Sequence, residues 1–204
     1  MSRDGERAPI AGIVLAAGTS SRMGRNKLFL SLRGQSVLRR AVGTALAAGL
    51  HPVLVVLGHE AERAQAELAG LPCTSVFNPT YAQGINTSLR TGIAAVPAHA
   101  AAALVMLADM PFVTQQMLEA VVERYRDGAS PLVVSSYEGV DAPPMLYDRS
   151  LFAELRALDG DGCGKKVVKR HRNESLEVAW PASALKDLDV PADVDLVLAE
   201  LGSG

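Results

Sequence analysis

The sequence is poor in cysteine and in aromatic residues, carries no excess of charge, and has no long apolar run. Two cysteines, Cys73 and Cys163, among 204 residues exclude a disulfide framework, and neither has a Cys or His beside it at metal-ligand spacing. Aromatics make up 4% of the chain and are not interleaved with basic residues, which argues against a stacking platform for single-stranded nucleic acid. Twenty Lys and Arg face 22 Asp and Glu, a formal net charge of −2. No global field therefore draws the chain to nucleic acid or to an anionic surface, and any basic site must be local. No segment reaches the roughly 20 apolar residues of a membrane span, and the opening "MSRDGERAP" has no signal-peptide core. The expectation is a cytoplasmic protein with neither nucleic acid nor membrane as partner. His51, His59, His99 and His171 stand apart in the chain and form no evident base or ligand pair.

What is present is a rhythm. Short apolar runs without alternation recur at "AGIVLAAG" from Ala11, "PVLVVLG" from Pro52, "AAALVMLAD" ending at Asp109 and "PLVVSS" from Pro131. Such runs suit strands buried on both faces. Amphipathic stretches at 37–48, 60–68, 87–95 and 114–126, each closed by Gly or Pro, predict helices between them. Strand and helix in alternation predict an α/β fold with a mostly parallel sheet, helices on both faces, and ligands at the carboxyl ends of the strands. One domain over 1–204 is expected. Its first part, about 9–137, would bind nucleotide, and a lobe over about 138–204 would complete the sheet and cover the site.

Four stretches carry chemistry. In "LAAGTSSRMGRNKLFL" a strand end runs into a Gly, Ser and Thr turn with Arg22 and Lys27 five residues apart. The interval from Gly18 to Gly24 is one residue too long for a P-loop, and Gly-x-Gly-x-x-Gly is absent. Backbone N–H groups, an Arg fork and a mobile Lys charge together suit polyphosphate; a solvated βα loop is the plain alternative. In "LVMLADMPFV" Asp109 ends a buried strand, where a carboxylate can hold Mg²⁺ against phosphate oxygens. Thr114 is the better cap for the helix beyond, which leaves Asp109 free of that duty. "DLDVPADVDL" holds Asp187, Asp189, Asp193 and Asp195, helix-start charges among which one can be a second metal ligand. "NPTYAQGINTSLRTGI" places Gln83, Gly84, Asn86 and Ser88 before a helix, groups able to read a base edge or to serve as turn and cap.

Together these residues resemble the MobA-like nucleotidyltransferase family: Leu15-Ala16-Ala17-Gly18, Ser20, Arg22-Met23-Gly24 and Lys27; Asn78-Pro79, Gly84, Ser88-Leu89 and Gly92; Asp109-Met110-Pro111; and Asp187-Leu188-Asp189-Val190-Pro191. The resemblance implies a Rossmann-like nucleotidyltransferase fold, a nucleoside triphosphate and Mg²⁺, and transfer of a nucleotidyl group to a phosphate with release of pyrophosphate. It implies that Leu15, Ala16, Ala17, Gly18, Gly84 and Ser88 line the nucleotide, that Arg22 and Lys27 hold the triphosphate, and that Asp109 and Asp189 hold the metal. "LAAG" is similar to the molybdenum-cofactor cytidylyltransferase branch, which implies CTP as substrate and molybdopterin cofactor as acceptor, with a molybdenum hydroxylase as a possible partner enzyme. The chain departs from the family at Asn26, where Asp often stands, at "DAPPMLYD" in place of Gly-His-Pro, and at Val190 in place of Thr.

"GDGCGKKVVKRHR" follows the rhythm into the second part of the chain. Its glycine turn at a helix start, with Lys165, Lys169 and Arg172 on one helical face, offers an anion site for the acceptor. Pro144, Gly162, Gly164 and Lys165 are the acceptor candidates. Cys163, at that helix start, would have a lowered pKa or be an incidental thiol. A sugar-phosphate nucleotidyltransferase and a non-catalytic carrier of nucleotide or cofactor remain as alternatives. The segments 141–147 and 162–166 would tell a pterin from a sugar, and pyrophosphate release would tell an enzyme from a carrier.

Overall fold

The computed structural model describes residues 8–18 and 26–185. In chain order it has β1 (Ile10–Ala16), the two-residue strands β2 (Ser31–Leu32) and β3 (Gln35–Ser36), α1 (Val37–Ala47), β4 (Val53–Leu57), α2 (Ala61–Glu67), β5 (Thr74–Phe77), α3 (Ile85–Ala95), β6 (Ala102–Leu107) and α4 (Gln115–Asp127). There follow β7 (Leu132–Tyr137), β8 (Val140–Asp141), β9 (Met145–Asp148), α5 (Phe152–Arg156), α6 (Lys165–His171) and β10 (Leu176–Trp180). The main sheet runs β10-β7-β9-β6-β1-β4-β5, with β8 beside β7. β1 pairs parallel with β4 and β6, β4 with β5, and β7 with β10. Only β9, between β6 and β7, and the short β8 run antiparallel.

The unalternating runs find their reason in two cores. Successive side chains of a strand point to opposite faces. Ile10, Val14 and Ala16 of β1 face a core shared with α1 and α4, while Ala11, Ile13 and Leu15 face one shared with α3, α5 and α6. A strand covered on both faces has no solvent side, so every position is apolar. Gly92 of α3 marks how closely that helix lies on the sheet, because a Cβ there would stand 2.6 Å from Ile13 Cγ2. Gly92→Ala is expected to destabilise the fold by about 1–3 kcal/mol through overpacking. Calorimetry that left the melting temperature unchanged would contradict this contact.

The four anticipated helices form within two residues of their expected ends. Thr114 caps α4, its hydroxyl accepting from Met117 N–H at 3.2 Å. Besides the two-residue strands β2, β3 and β8, strands β5 and β9 went unread in the sequence. β5 is a partly exposed edge strand whose Thr and Ser break the apolar pattern, and β9 is a four-residue run directly after two prolines. The helix expected after Pro191 lies outside the described residues.

Candidate active site

The carboxyl ends of β1, β4 and β6 meet at one edge of the sheet. Ala108 N–H donates to Leu15 C=O at 3.0 Å, and His59 N–H to Ala17 C=O at 3.3 Å. Leu15, Ala16 and Ala17 are buried, so their side chains are sealed in the sheet and contribute backbone. Gly18 is exposed, with open space where a Cβ would stand. Gly58, just past β4, has no such room: a Cβ would lie 2.6 Å from Tyr81 and 2.9 Å from Ala17 Cβ.

Beyond this edge the chain re-enters at Asn26, whose side-chain oxygen accepts from Leu28 N–H at 3.2 Å and caps a 3-10 turn over Lys27–Phe29. An aspartate can cap in the same way, so the departure at Asn26 preserves the turn. With Leu28 buried as its anchor, the turn presents Lys27 to the end of β6. Lys27 Nζ stands 2.6 Å from Asp109 Oδ2, the two side chains 13% and 23% exposed. The sequence placed these groups 82 positions apart, and the fold makes them one ion pair at the strand ends.

A second polar cluster supports the start of α3. Asn78, fully buried, donates from Nδ2 to Thr87 Oγ1 at 2.8 Å and to Ser88 Oγ at 3.0 Å, and accepts at Oδ1 from Thr80 N–H and Oγ1. Ser88 is therefore turned inward, toward Asn78. Asn78→Ala takes a partner from three hydroxyls and one amide and is expected to cost about 1–3 kcal/mol. An unshifted urea midpoint would refute that accounting.

No side chain of α3 itself caps its first turn. Ile85 N–H donates to Asp161 Oδ1 at 3.2 Å and Asn86 N–H to Gly160 C=O at 3.1 Å. Gly84, at φ +112°, leaves room for that loop, for a Cβ would sit 2.6 Å from Gly160 O. Helix α3 begins two residues before its expected start because a loop some 75 residues away supplies the partners.

The acceptor candidates gather on the same side. The register Val105↔Met145 sets Pro144, buried, beside the end of β6, its carbonyl accepting from the Ser135 hydroxyl at 2.6 Å. Gly164, at φ +82°, lies against the Tyr147 hydroxyl, and Lys165 is exposed. The Asp109 carboxylate acts on Cys163 in this turn. Burial first, and then that carboxylate, push the Cys163 thiol up to about 12. This overturns the expectation of a lowered pKa: the thiol packs against apolar neighbours and meets a negative charge. Arg172 does not share a free basic face, since it follows α6 and pairs with Asp141 at 3.2 Å and with Glu177.

Arg22 and Asp189 lie outside the described residues. Among the described residues no three His, Cys, Asp or Glu converge as a metal cluster. Asp109 is a single carboxylate at an open strand end. That donor set fits Mg²⁺ or Mn²⁺, which take one or two carboxylates and complete their shells with water and phosphate oxygens.

The mostly parallel sheet flanked by helices, with one antiparallel strand in its main path, is a Rossmann-like nucleotidyltransferase fold. The chain belongs to the MobA-like NTP transferase domain family, whose model matches residues 12–175. It is 30% identical to the purine catabolism protein PucB of Bacillus subtilis, over 94% of this chain and 97% of that one. It is 29% identical to nicotine blue oxidoreductase of Paenarthrobacter nicotinovorans, over 80% and 82%, and 26% identical to the molybdenum cofactor cytidylyltransferase of Escherichia coli, over 89% and 91%. Among solved structures, Rv0371c of Mycobacterium tuberculosis superposes with TM-score 0.83 at 29% identity, covering 94% of this chain and 98% of that one. The same protein in complex with manganese gives TM-score 0.78 at 28% identity, with the same coverage.

Among the described residues no helix is long and apolar enough to cross a membrane. Sequence reasoning missed Gly58 and Asp161, gave Asn78 no structural role, and gave Asn86 base reading or turn and cap duty, whereas its side chain is spent on the loop 159–164. A glycine ending an apolar strand was the available signal for Gly58. The bonds of Asn86 to 159–164 left no local signal.

Proposed function

We propose that the protein transfers a cytidylyl group from CTP to the terminal phosphate of molybdopterin cofactor, releasing pyrophosphate. The observation that carries this reading is the Lys27–Asp109 pair at the carboxyl end of β6. "LAAG" and the similarity to a molybdenum cofactor cytidylyltransferase support CTP and the acceptor. The manganese complex of a relative supports a divalent metal.

The nucleotide lies on the first part of the chain, its phosphates over the backbone of Ala17 and Gly18. Its base is held on the side of Gly84 and Ser88. The acceptor phosphate sits by Pro144, Gly162, Gly164 and Lys165. That phosphate is already ionised near pH 7, its second pKa being about 6, so no strong base is required. One of its oxygens attacks the α-phosphorus in line; the new P–O bond forms as the bond to the bridging β-phosphate oxygen breaks, and its electrons leave with pyrophosphate. Lys27 offsets charge on the α-phosphate and Arg22 charge on the leaving group. Asp109 and Asp189 would hold Mg²⁺, which supplies Lewis-acid charge neutralisation.

The test is pyrophosphate release with Mg²⁺ and fresh molybdenum cofactor, comparing CTP, GTP, ATP and UTP. CTP-selective turnover is the expected outcome. Turnover with a sugar phosphate alone would replace the acceptor, and tight nucleotide binding without turnover would favour a carrier over an enzyme.

A further inference from the structure

We infer that Asn86 is a positioning residue that fastens the loop 159–164 to the start of α3 and so sets where the acceptor phosphate stands; the inference rests on the transferase reading above. Asn86 is buried, and its side chain spends every hydrogen-bonding group on this one loop. Nδ2 donates to Asp159 C=O and Asp161 C=O, each at 3.0 Å, and Oδ1 accepts from Gly164 N–H at 3.0 Å. A single amide thus holds both ends of the loop. The full inventory of an amide side chain, two N–H donors and a carbonyl, is satisfied by these contacts.

The loop has little support of its own. Gly160, Gly162, Cys163 and Gly164 all have positive φ, and Cys163 is no glycine. Such a left-handed run persists only where its surroundings hold it. The surroundings are Asn86 on one side, with Arg90 pairing to the exposed Asp159 at 2.7 Å, and the Tyr147 hydroxyl on the other, where a Cβ on Gly164 would come within 2.8 Å. Asp161 returns one bond, to Ile85 N–H, from an exposed position. Asn86 itself stands at the start of α3, which Asn78 ties to Thr80. It therefore links the nucleotide-side part of the chain to the acceptor-side lobe.

An in-line displacement tolerates little displacement of its nucleophile; an error of about 1 Å can cost about a hundredfold. A loop freed from Asn86 therefore weakens acceptor use and leaves the nucleotide's contacts in place. That selectivity separates positioning from a general loss of structure.

Cys163 supplies a readout that needs no substrate. In a Cys73→Ser background it is the one remaining thiol, and it is held in the loop with its pKa pushed up to about 12 by burial. Asn86→Ala and Asn86→Asp are each expected to raise the rate of Cys163 modification by an aromatic disulfide by at least about tenfold, through local opening. The Asp variant keeps an acceptor for Gly164 N–H but sets carboxylate oxygen against two carbonyls, so it carries the test if the Ala variant does not fold. In the same variants KM for molybdenum cofactor should rise while Kd for CTP, measured by titration, stays within about twofold. An unchanged Cys163 rate overturns the inference, as does CTP affinity falling in step with acceptor use. Absence of pyrophosphate release by the unsubstituted protein overturns the transferase reading instead, and the Cys163 rate still decides whether Asn86 holds the loop.

Discussion

Lys27→Ala is expected to lower kcat for pyrophosphate release by about 10²–10³-fold, the loss that follows removal of one preorganised donor from a developing charge. The ammonium stands at the end of β6, 13% exposed, so bulk water can replace it only partly. Lys27→Arg should recover little of the rate, because a planar fork does not reproduce a compact point charge. The same substitution has an opposite effect on metal binding. Lys27 sits on Asp109 Oδ2 and so competes with any cation for that carboxylate. Mn²⁺ binding to the nucleotide-free Ala variant, read by electron paramagnetic resonance, should therefore be tighter than to the parent. A rate loss under about tenfold would remove Lys27 from the chemistry, and weaker Mn²⁺ binding would remove the competition.

Asp109→Ala should cost at least as much in rate, and raising Mg²⁺ or Mn²⁺ should not restore it. The carboxylate pairs with Lys27 at the end of β6, and loss of metal-assisted charge neutralisation is worth several kcal/mol of barrier. Its effect on binding should be the mirror of the Lys27 result. Nucleotide-free Mn²⁺ affinity falls, while CTP without metal binds no more weakly than to the parent, since removing the Asp109 carboxylate takes away a negative charge beside the nucleotide's phosphates. Asp109→Asn keeps the shape and removes the charge, and should match the Ala variant in rate. Full activity in the Asn variant, measured by steady-state kinetics at saturating metal, would place the metal elsewhere.

The two clusters that support the site differ in how far they can be read from the chain. The first loop is legible because it breaks a local rule: Gly18, Arg22 and Lys27 follow directly on an apolar strand, where packing has no use for charge. Asp109 is legible for the same reason, and Thr114 takes the cap that would otherwise explain it. Asn86 and Asp161 break no local rule. Each is an ordinary polar residue in a turn-rich segment, and their partners lie more than 70 residues away. Of the two readings of Cys163, the lowered pKa fails for a related reason and the incidental thiol stands. Its place at a helix start argues for a lowered pKa, but desolvation and the nearby Asp109 outweigh that local effect.

The sequence by itself determined the class of fold, because strands sealed on both faces must be apolar throughout and the helices between them must carry one apolar face. It also determined the two charged strand ends. Tertiary structure alone decided that β9 runs against its neighbours, that Lys27 and Asp109 pair, and that the loop 159–164 caps α3 and hangs on Asn86. Direction in a short strand leaves no period in the chain, and a hydrogen bond between distant segments leaves no spacing. Both are fixed only when packing brings the partners within reach and burial makes an unpaired polar group costly.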